Sequence, residues 1–350
     1  MNMNYPSDGN DTIPTDFDDV VQQVSTGSLA HQKIDELLRE AHERYSDVDD
    51  GLLAHYIPIL GHADPDLFAI AMSHVGGSVH EVGDCQHEFS IQSIAKMFVY
   101  ALVVQEHGRE VVRERIGVNN TGMPFNSVMA VELNNGHPMN PMVNAGAIAT
   151  TEMIPGRTSA KKWENVRAGL SAFAGRQLTL DDDVYASESE SNERNKAVGR
   201  LLKSYRRIEG DPLAAVDVYT RQCSLNVTAY DLAVMGATLA DGGVNPVTGQ
   251  RVVDADVCRD TLAAVATSGL YEHSGDWLFE IGIPAKSGVS GGIVAIAPGK
   301  GAIGAFSPPL DIAGNSVKAQ LAIGHLSRAM GLNLFASAPE KSLLAKAGRG

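Results

Sequence analysis

Ser93 and Lys96 are the residues of this chain best placed to do chemistry. They lie in the stretch His87-Glu-Phe-Ser-Ile-Gln-Ser-Ile-Ala-Lys-Met-Phe-Val-Tyr-Ala-Leu-Val-Val104. On a helix, residues three apart share a face, one turn above the other, so the lysine amine can reach the serine hydroxyl. From Met97 to Val104 every residue is apolar or aromatic, and a helix without a polar face sits in the interior. An amine kept dry in this way binds its proton less tightly and can serve as the base for a serine near pH 7. The chemistry implied is nucleophilic attack by a serine that has no histidine partner.

Taken alone, Ser-x-x-Lys is a weak signal, because short patterns recur by chance. Two features strengthen it here. The motif opens a buried helix, and a second triplet, Lys286-Ser287-Gly288, lies near the other end of the chain in a stretch that reads as a strand. Ser-x-x-Lys combined with a Lys-Thr-Gly type of triplet is the pattern of the serine β-lactamase and penicillin-binding superfamily.

The elements that must position these groups follow from periodicity. Leu29, Ile34, Leu37, Leu38 and Ala41 predict an amphipathic helix from Ser28 to about Tyr45. Leu67 to His74, a Gly-Gly turn and Val79 to Val82 predict a hairpin just before the serine. Gly291 to Ala297 and Gly301 to Phe306 flank a Pro-Gly-Lys turn and predict another, directly after Lys286. Between them, the loop from Gly117 to Asn144 is too punctuated by Gly and Pro for a long element. Helices are expected at 159 to 173, 191 to 206, 211 to 222, 228 to 241 and 254 to 267, with a last one from Asn315 to Met330. Strands at both ends and helices between them predict an α+β fold. In it, an antiparallel sheet built from both chain ends is flanked by helices, with a helical region inserted. The expected organisation is an acidic disordered tail over 1–27, a sheet region over 28–104 and 271–338, a helical region over 105–270, and a frayed tail over 339–350.

Composition narrows the function. The chain has 350 residues, 44% hydrophobic and 20% charged, with 42 acidic against 28 basic residues and a net charge of -14. That balance argues against nucleic acid or an anionic membrane surface as partner. No run approaches the ~20 apolar residues that span a bilayer. The N-terminal stretch lacks the basic and apolar segments of a secretory signal. Three scattered cysteines suit a reducing compartment, and the expected location is the cytoplasm. Metal chemistry finds no support: His62-Ala-Asp-Pro-Asp66 reads as a turn, and neither His-Glu-x-x-His nor Cys-x-x-Cys occurs. Gly299-Lys300 lacks the preceding Gly and following Ser or Thr of a phosphate loop.

Several further blocks, in one order, carry a resemblance. They are Phe89-Ser-Ile-Gln-Ser-Ile-Ala-Lys96, Pro124-Phe-Asn-Ser127, Asn140-Pro-Met-Val-Asn-Ala-Gly146, Ser187-Glu188 with Arg194-Asn195, Cys223-Ser, Thr267-Ser-Gly-Leu-Tyr271 and Pro284-Ala-Lys-Ser-Gly-Val289. From about Ile34 to Gly331 the chain resembles the bacterial serine-dependent glutaminases, relatives of the β-lactamases. The resemblance implies a β-lactamase/transpeptidase-like fold, L-glutamine as substrate and an assembly of two or four copies. It implies neither a metal nor an organic cofactor. Ser93 is then the nucleophile, Lys96 its base, and Tyr219 the group that passes a proton to departing ammonia. Lys286 supplies positive charge to the site. Ser93, Asn144, Glu188, Asn195, Tyr219, Tyr271 and, through its backbone, Val289 contact the substrate. Glu188 and Asn195, seven apart, share a face if one helix runs through both. The sequence departs from the family at Ser290, where Gly is expected. Two other readings compete: a β-lactamase or D,D-peptidase, which wants a Ser-Asp-Asn or Tyr-x-Asn element, and a silent glutamine-binding module, which needs no nucleophile.

Overall fold

The structure, a computed structural model, describes residues 31–337. The expected acidic tail (1–27) and frayed end (339–350) fall outside the described residues. The helices are α1 (His31–Tyr45), α2 (Ala95–His107), α3 (Arg109–Arg115), α4 (Val128–Leu133), α5 (Asn144–Glu152), α6 (Ser159–Ala174), α7 (Asp182–Ser191), α8 (Glu193–Ser204), α9 (Pro212–Cys223), α10 (Ala229–Ala240), α11 (Ala255–Ser268), α12 (Ser274–Glu280) and α13 (Val317–Ala329). The strands are β1 (Ala69–His74), β2 (Val79–Gly83), β3 (Phe89–Ser90), β4 (Asn226–Val227), β5 (Ala285–Ser287), β6 (Gly292–Ala297) and β7 (Gly301–Phe306).

Both predicted hairpins form, and they join. The main sheet runs β2-β1-β7-β6-β5, and its β1–β7 seam pairs Ala69 with Phe306 and His74 with Gly301 in antiparallel register. One sheet is therefore closed by residues more than two hundred apart, as the order of elements predicts. Alternation along the strands sorts side chains to two cores. Ile70, Met72, Ile293, Ala295, Ile303 and Ala305 pack with α1 and α13. Ala71, Val294, Ile296, Ala302 and Phe306 face α10 and the helical region. With both faces covered, β6 and β7 are buried at all six positions each, which is why they read as apolar runs rather than alternations.

Glycine sets the close fit of α10 on the sheet. A Cβ on Gly304 of β7 would lie 2.4 Å from the Ala229 carbonyl oxygen, and one on Gly236 would lie 2.6 Å from Ala302 Cβ. Any larger residue would push helix and sheet apart.

Helix α2 is buried from Ala95 through Val104 apart from half-buried Leu102, as its composition requires. The helix expected over 191 to 206 forms as α8, but it does not run on from α7. α7 ends at Ser191 and α8 starts at Glu193, with Asn192 at φ -93, ψ 24 between them. Asn192 turns its amide to Thr220 Oγ1 at 3.1 Å, a side-chain bond of the kind that competes with helix continuation. Glu188 and Asn195 thus sit on two helices, not on one continuous face.

Candidate active site

The short β3–β4 ladder pairs Ser90 with Asn226 and delivers the chain to the nucleophile position. Gln92 then adopts φ +52, a left-handed conformation that costs a residue with a Cβ on the order of 1–3 kcal/mol. Its buried side chain holds it there, donating to Ser90 Oγ at 3.1 Å and to Glu188 Oε1. A single 3-10 turn, Gln92–Ile94, follows and runs into α2. Ser93 therefore stands in that turn, two residues before the α-helix in which the sequence reading put it. Lys96 is the second residue of α2.

Lys96 is 1% exposed. Its amine donates to the Met142 carbonyl at 3.1 Å and to Asn144 Oδ1 at 2.7 Å. Burial pulls its pKa down to about 8, against the opposing influence of Cys223 and Glu188. A neutral amine has two protons and one lone pair. Both protons are engaged, so the lone pair is left for a hydroxyl.

Asn144, the first residue of α5, is the hub of the polar network. Its Oδ1 accepts from Lys96 and, at 3.4 Å, from the Tyr219 hydroxyl, while its Nδ2 donates to Asn195 Oδ1 at 2.9 Å. Tyr219, on α9 one turn before Cys223, is 4% exposed. Burial, reinforced by Cys223 and Glu188, holds its phenol well above the ordinary tyrosine value. It stays protonated and is a donor. Glu188 is pushed up to about 7 by burial, with the Gln92 bond and Lys96 working the other way.

Tyr271 is a second non-glycine residue with positive φ, +55. Its hydroxyl lies against Ser93 and donates to the Ser287 carbonyl at 3.4 Å. Burial raises it to about 12. Lys286 on β5 is fully buried, donates to the carbonyls of Gly269 and Ser287 at 2.8 Å each, and has its amine 4.2 Å from the Tyr271 ring centre. Burial and, second, the charge of Lys96 hold that amine well below the ordinary lysine value. The standing positive charge expected of Lys286 is therefore opposed by its surroundings.

Val289 sits in the turn that links β5 to β6, closed by Gly291 N–H to the Gly288 carbonyl at 3.0 Å. Among the described residues, neither the Ser93 nor the Val289 backbone N–H has a protein acceptor. Two orphan donors at one cleft are suited to a negatively charged oxygen.

The cleft itself has a volume of about 270 Å³, at the small end of ligand sites. Ser93, Asn144, Glu188, Asn195, Tyr219 and Val289 line it. Lys96, Tyr271 and Lys286 are not among the lining residues. The sequence reading assigned no role to Tyr56, Gln92, Phe125, Asn126, Arg194 and Cys223, which also line it. Gln92, Phe125, Asn126, Arg194 and Cys223 lie inside the blocks that carry the resemblance, so a signal existed for them. Tyr56 lies in an irregular segment that offers no periodicity to read. Among the described residues no cluster of three or more His, Cys, Asp or Glu could hold a metal.

A Ser-x-x-Lys motif with a buried lysine, at a cleft beside an antiparallel sheet made from both chain ends, is the arrangement of a β-lactamase-like fold. The family description Glutaminase matches residues 51–335. Glutaminase 2 from Yersinia pestis is 52% identical over 330 residues, covering 93% of this chain and 97% of the relative. The glutaminase of Brucella canis is 50% identical over 285 residues, covering 81% and 90%. A solved structure described as the probable glutaminase ybaS superposes with a TM-score of 0.87 at 41% identity, covering 88% of this chain and all of that one. Mglu in its glutamate form gives 0.84 at 37%, covering 89% and 72%. The chain belongs to the glutaminase family and is an amidohydrolase acting on glutamine.

Proposed function

We propose that this glutaminase converts L-glutamine to L-glutamate and ammonia through a glutamyl ester on Ser93. The observation that carries this reading is the Lys96 amine, buried three residues after Ser93 and donating to Met142 and Asn144, which leaves its neutral-state lone pair uncommitted. Ser93 Oγ attacks the side-chain amide carbon as its proton passes to Lys96. The N–H groups of Ser93 and Val289 hold the oxyanion, each contributing on the order of 3 kcal/mol. Tyr219, held protonated by burial, hands a proton to the leaving nitrogen and regains one from the Lys96 ammonium; water then attacks the ester, giving its proton to the neutral Lys96, which returns it to the Ser93 oxygen as the ester breaks. Glu188 pairs with the α-ammonium of glutamine; Asn144, Asn195 and Tyr271 hold its polar groups. Lys286 acts by pinning Tyr271 and the backbone at Gly269 and Ser287 rather than through a fixed charge.

The sheet region (28–104 and 271–338) supplies Ser93, Lys96, Tyr271, Lys286 and Val289. The helical region (105–270) supplies Asn144, Glu188, Asn195 and Tyr219. Among the described residues no helix is long and apolar enough to cross a membrane, and all three cysteines are free and buried. Both observations fit the cytoplasm, and the resemblance points to a dimer or homotetramer.

Ammonia release measured against pH tests the chemistry. Lys96, depressed to about 8, is a competent base above that pH and an ammonium below it. Glu188, raised to about 7, is a carboxylate above that pH and loses its charge below it. Both changes act in one direction, so kcat/KM falls as pH drops from about 8 through 7, as one coupled acid limb. Activity that rises on acidification contradicts the reading. Glu188→Gln removes the charge that pairs with the α-ammonium and raises KM for glutamine on the order of 30-fold, checked by steady-state kinetics; an unchanged KM contradicts that role.

A further inference from the structure

Ser290 replaces the glycine expected after Val289, and its surroundings differ from those of a tolerated surface change. It is 7% exposed, and its hydroxyl donates to the Ser90 carbonyl at 2.7 Å. Ser90 is three residues before the nucleophile. The two N–H groups assigned to the oxyanion belong to cleft-lining residues from chain segments nearly two hundred residues apart, so their spacing depends on how firmly the Gly288–Gly291 turn is held to the Ser90–Ile94 segment.

Two contacts fix that spacing. The first is steric: a Cβ on Gly288 would lie 2.9 Å from the Ile91 carbonyl oxygen and 3.2 Å from Gln92 Cβ, so the turn already rides directly on the nucleophile segment. The second is the Ser290 bond. The same Ser90 receives the Gln92 amide at its hydroxyl, and Gln92 also donates to Glu188. A chain of hydrogen bonds thus runs from the Val289 turn, through Ser90 and Gln92, to the carboxylate that faces the substrate ammonium. Glycine at 290 would keep the steric contact and lose this chain.

We propose that Ser290 is a positioning residue that locks the Val289 N–H in register with the Ser93 N–H, tightening the pair around the oxyanion of the tetrahedral intermediate. The proposal rests on the reading of those two N–H groups given above. The oxyanion forms only along the reaction path, so the benefit falls on kcat and not on substrate binding.

The experiment compares Ser290→Ala and Ser290→Gly with the parent enzyme on L-glutamine, with Ser93→Ala alongside and folded fraction measured by circular dichroism. Both Ser290 variants are expected to lower kcat about three- to tenfold per folded enzyme with KM within about twofold, because sub-ångström loosening of a catalytic pair is felt in rate. A kcat within about twofold of the parent, or a change carried by KM, overturns the role of Ser290. Turnover persisting in Ser93→Ala overturns instead the underlying reading of the site, so the two failures are told apart.

Discussion

Ser93→Ala is expected to lower kcat on L-glutamine by at least about 10⁴-fold, the scale seen when a serine nucleophile is removed from a preorganised site. The loss should come without loss of fold. Ser93 is 7% exposed at the lip of the cleft, so the methyl group replaces a hydroxyl in place and leaves no unfilled core. Glutamine should still bind, because the groups assigned to its ends, Glu188, Asn144 and Asn195, are untouched. Calorimetric titration of the variant with glutamine checks this: retained affinity with abolished ammonia release separates a nucleophile from a binding residue.

The second large effect is expected at Lys96. Lys96→Ala removes the base and should lower kcat about 10²–10⁴-fold, the range for general-base removal. The residual activity should lose its acid limb near pH 8. The variant will also lose stability, since Asn144 Oδ1 keeps only the longer Tyr219 bond and the buried Met142 carbonyl loses its donor; unsatisfied buried groups cost about 1–3 kcal/mol. Melting temperature should be read beside kinetics so that the chemical loss is measured on folded protein. Lys96→Arg is the sharper control: it keeps a cation and donors but cannot become neutral at working pH, and it should be as inactive as alanine. An active arginine variant would mean that the lysine contributes charge, not basicity.

Much of the architecture was legible because burial leaves a pattern. Both hairpins announced themselves by apolar runs around Gly-rich turns, and the all-apolar stretch after Lys96 by itself required an interior helix. The joining of β1 to β7 followed from having strands at the two ends and helices between. What could not be read was local backbone geometry. Nothing in Ile-Gln-Ser-Ile marks Gln92 as left-handed, since glutamine has no preference for that region; its conformation is imposed by side-chain bonds to Ser90 and Glu188. Whether one helix ran through Glu188 and Asn195 stayed open for a related reason, because the Asn192 amide that marks the break is drawn to Thr220 on another helix.

Within the site, residue types were readable and their connections were not. Asn144 looked like a substrate contact, yet it also binds Lys96, Tyr219 and Asn195 at once. Lys286 looked like a source of charge, and only its burial, with the charge of Lys96, shows that the fold opposes that charge. Burial lowers Lys96, and burial together with the charge of Lys96 lowers Lys286.

Mass spectrometry of enzyme quenched in acid during turnover of L-glutamine tests the central claim most directly. Peptide mapping should find the mass of a glutamyl group on Ser93, in an acid-stable but hydroxylamine-sensitive ester. A glutamyl label on any other residue, or a quenched enzyme that carries none while ammonia is released in a burst, would contradict it.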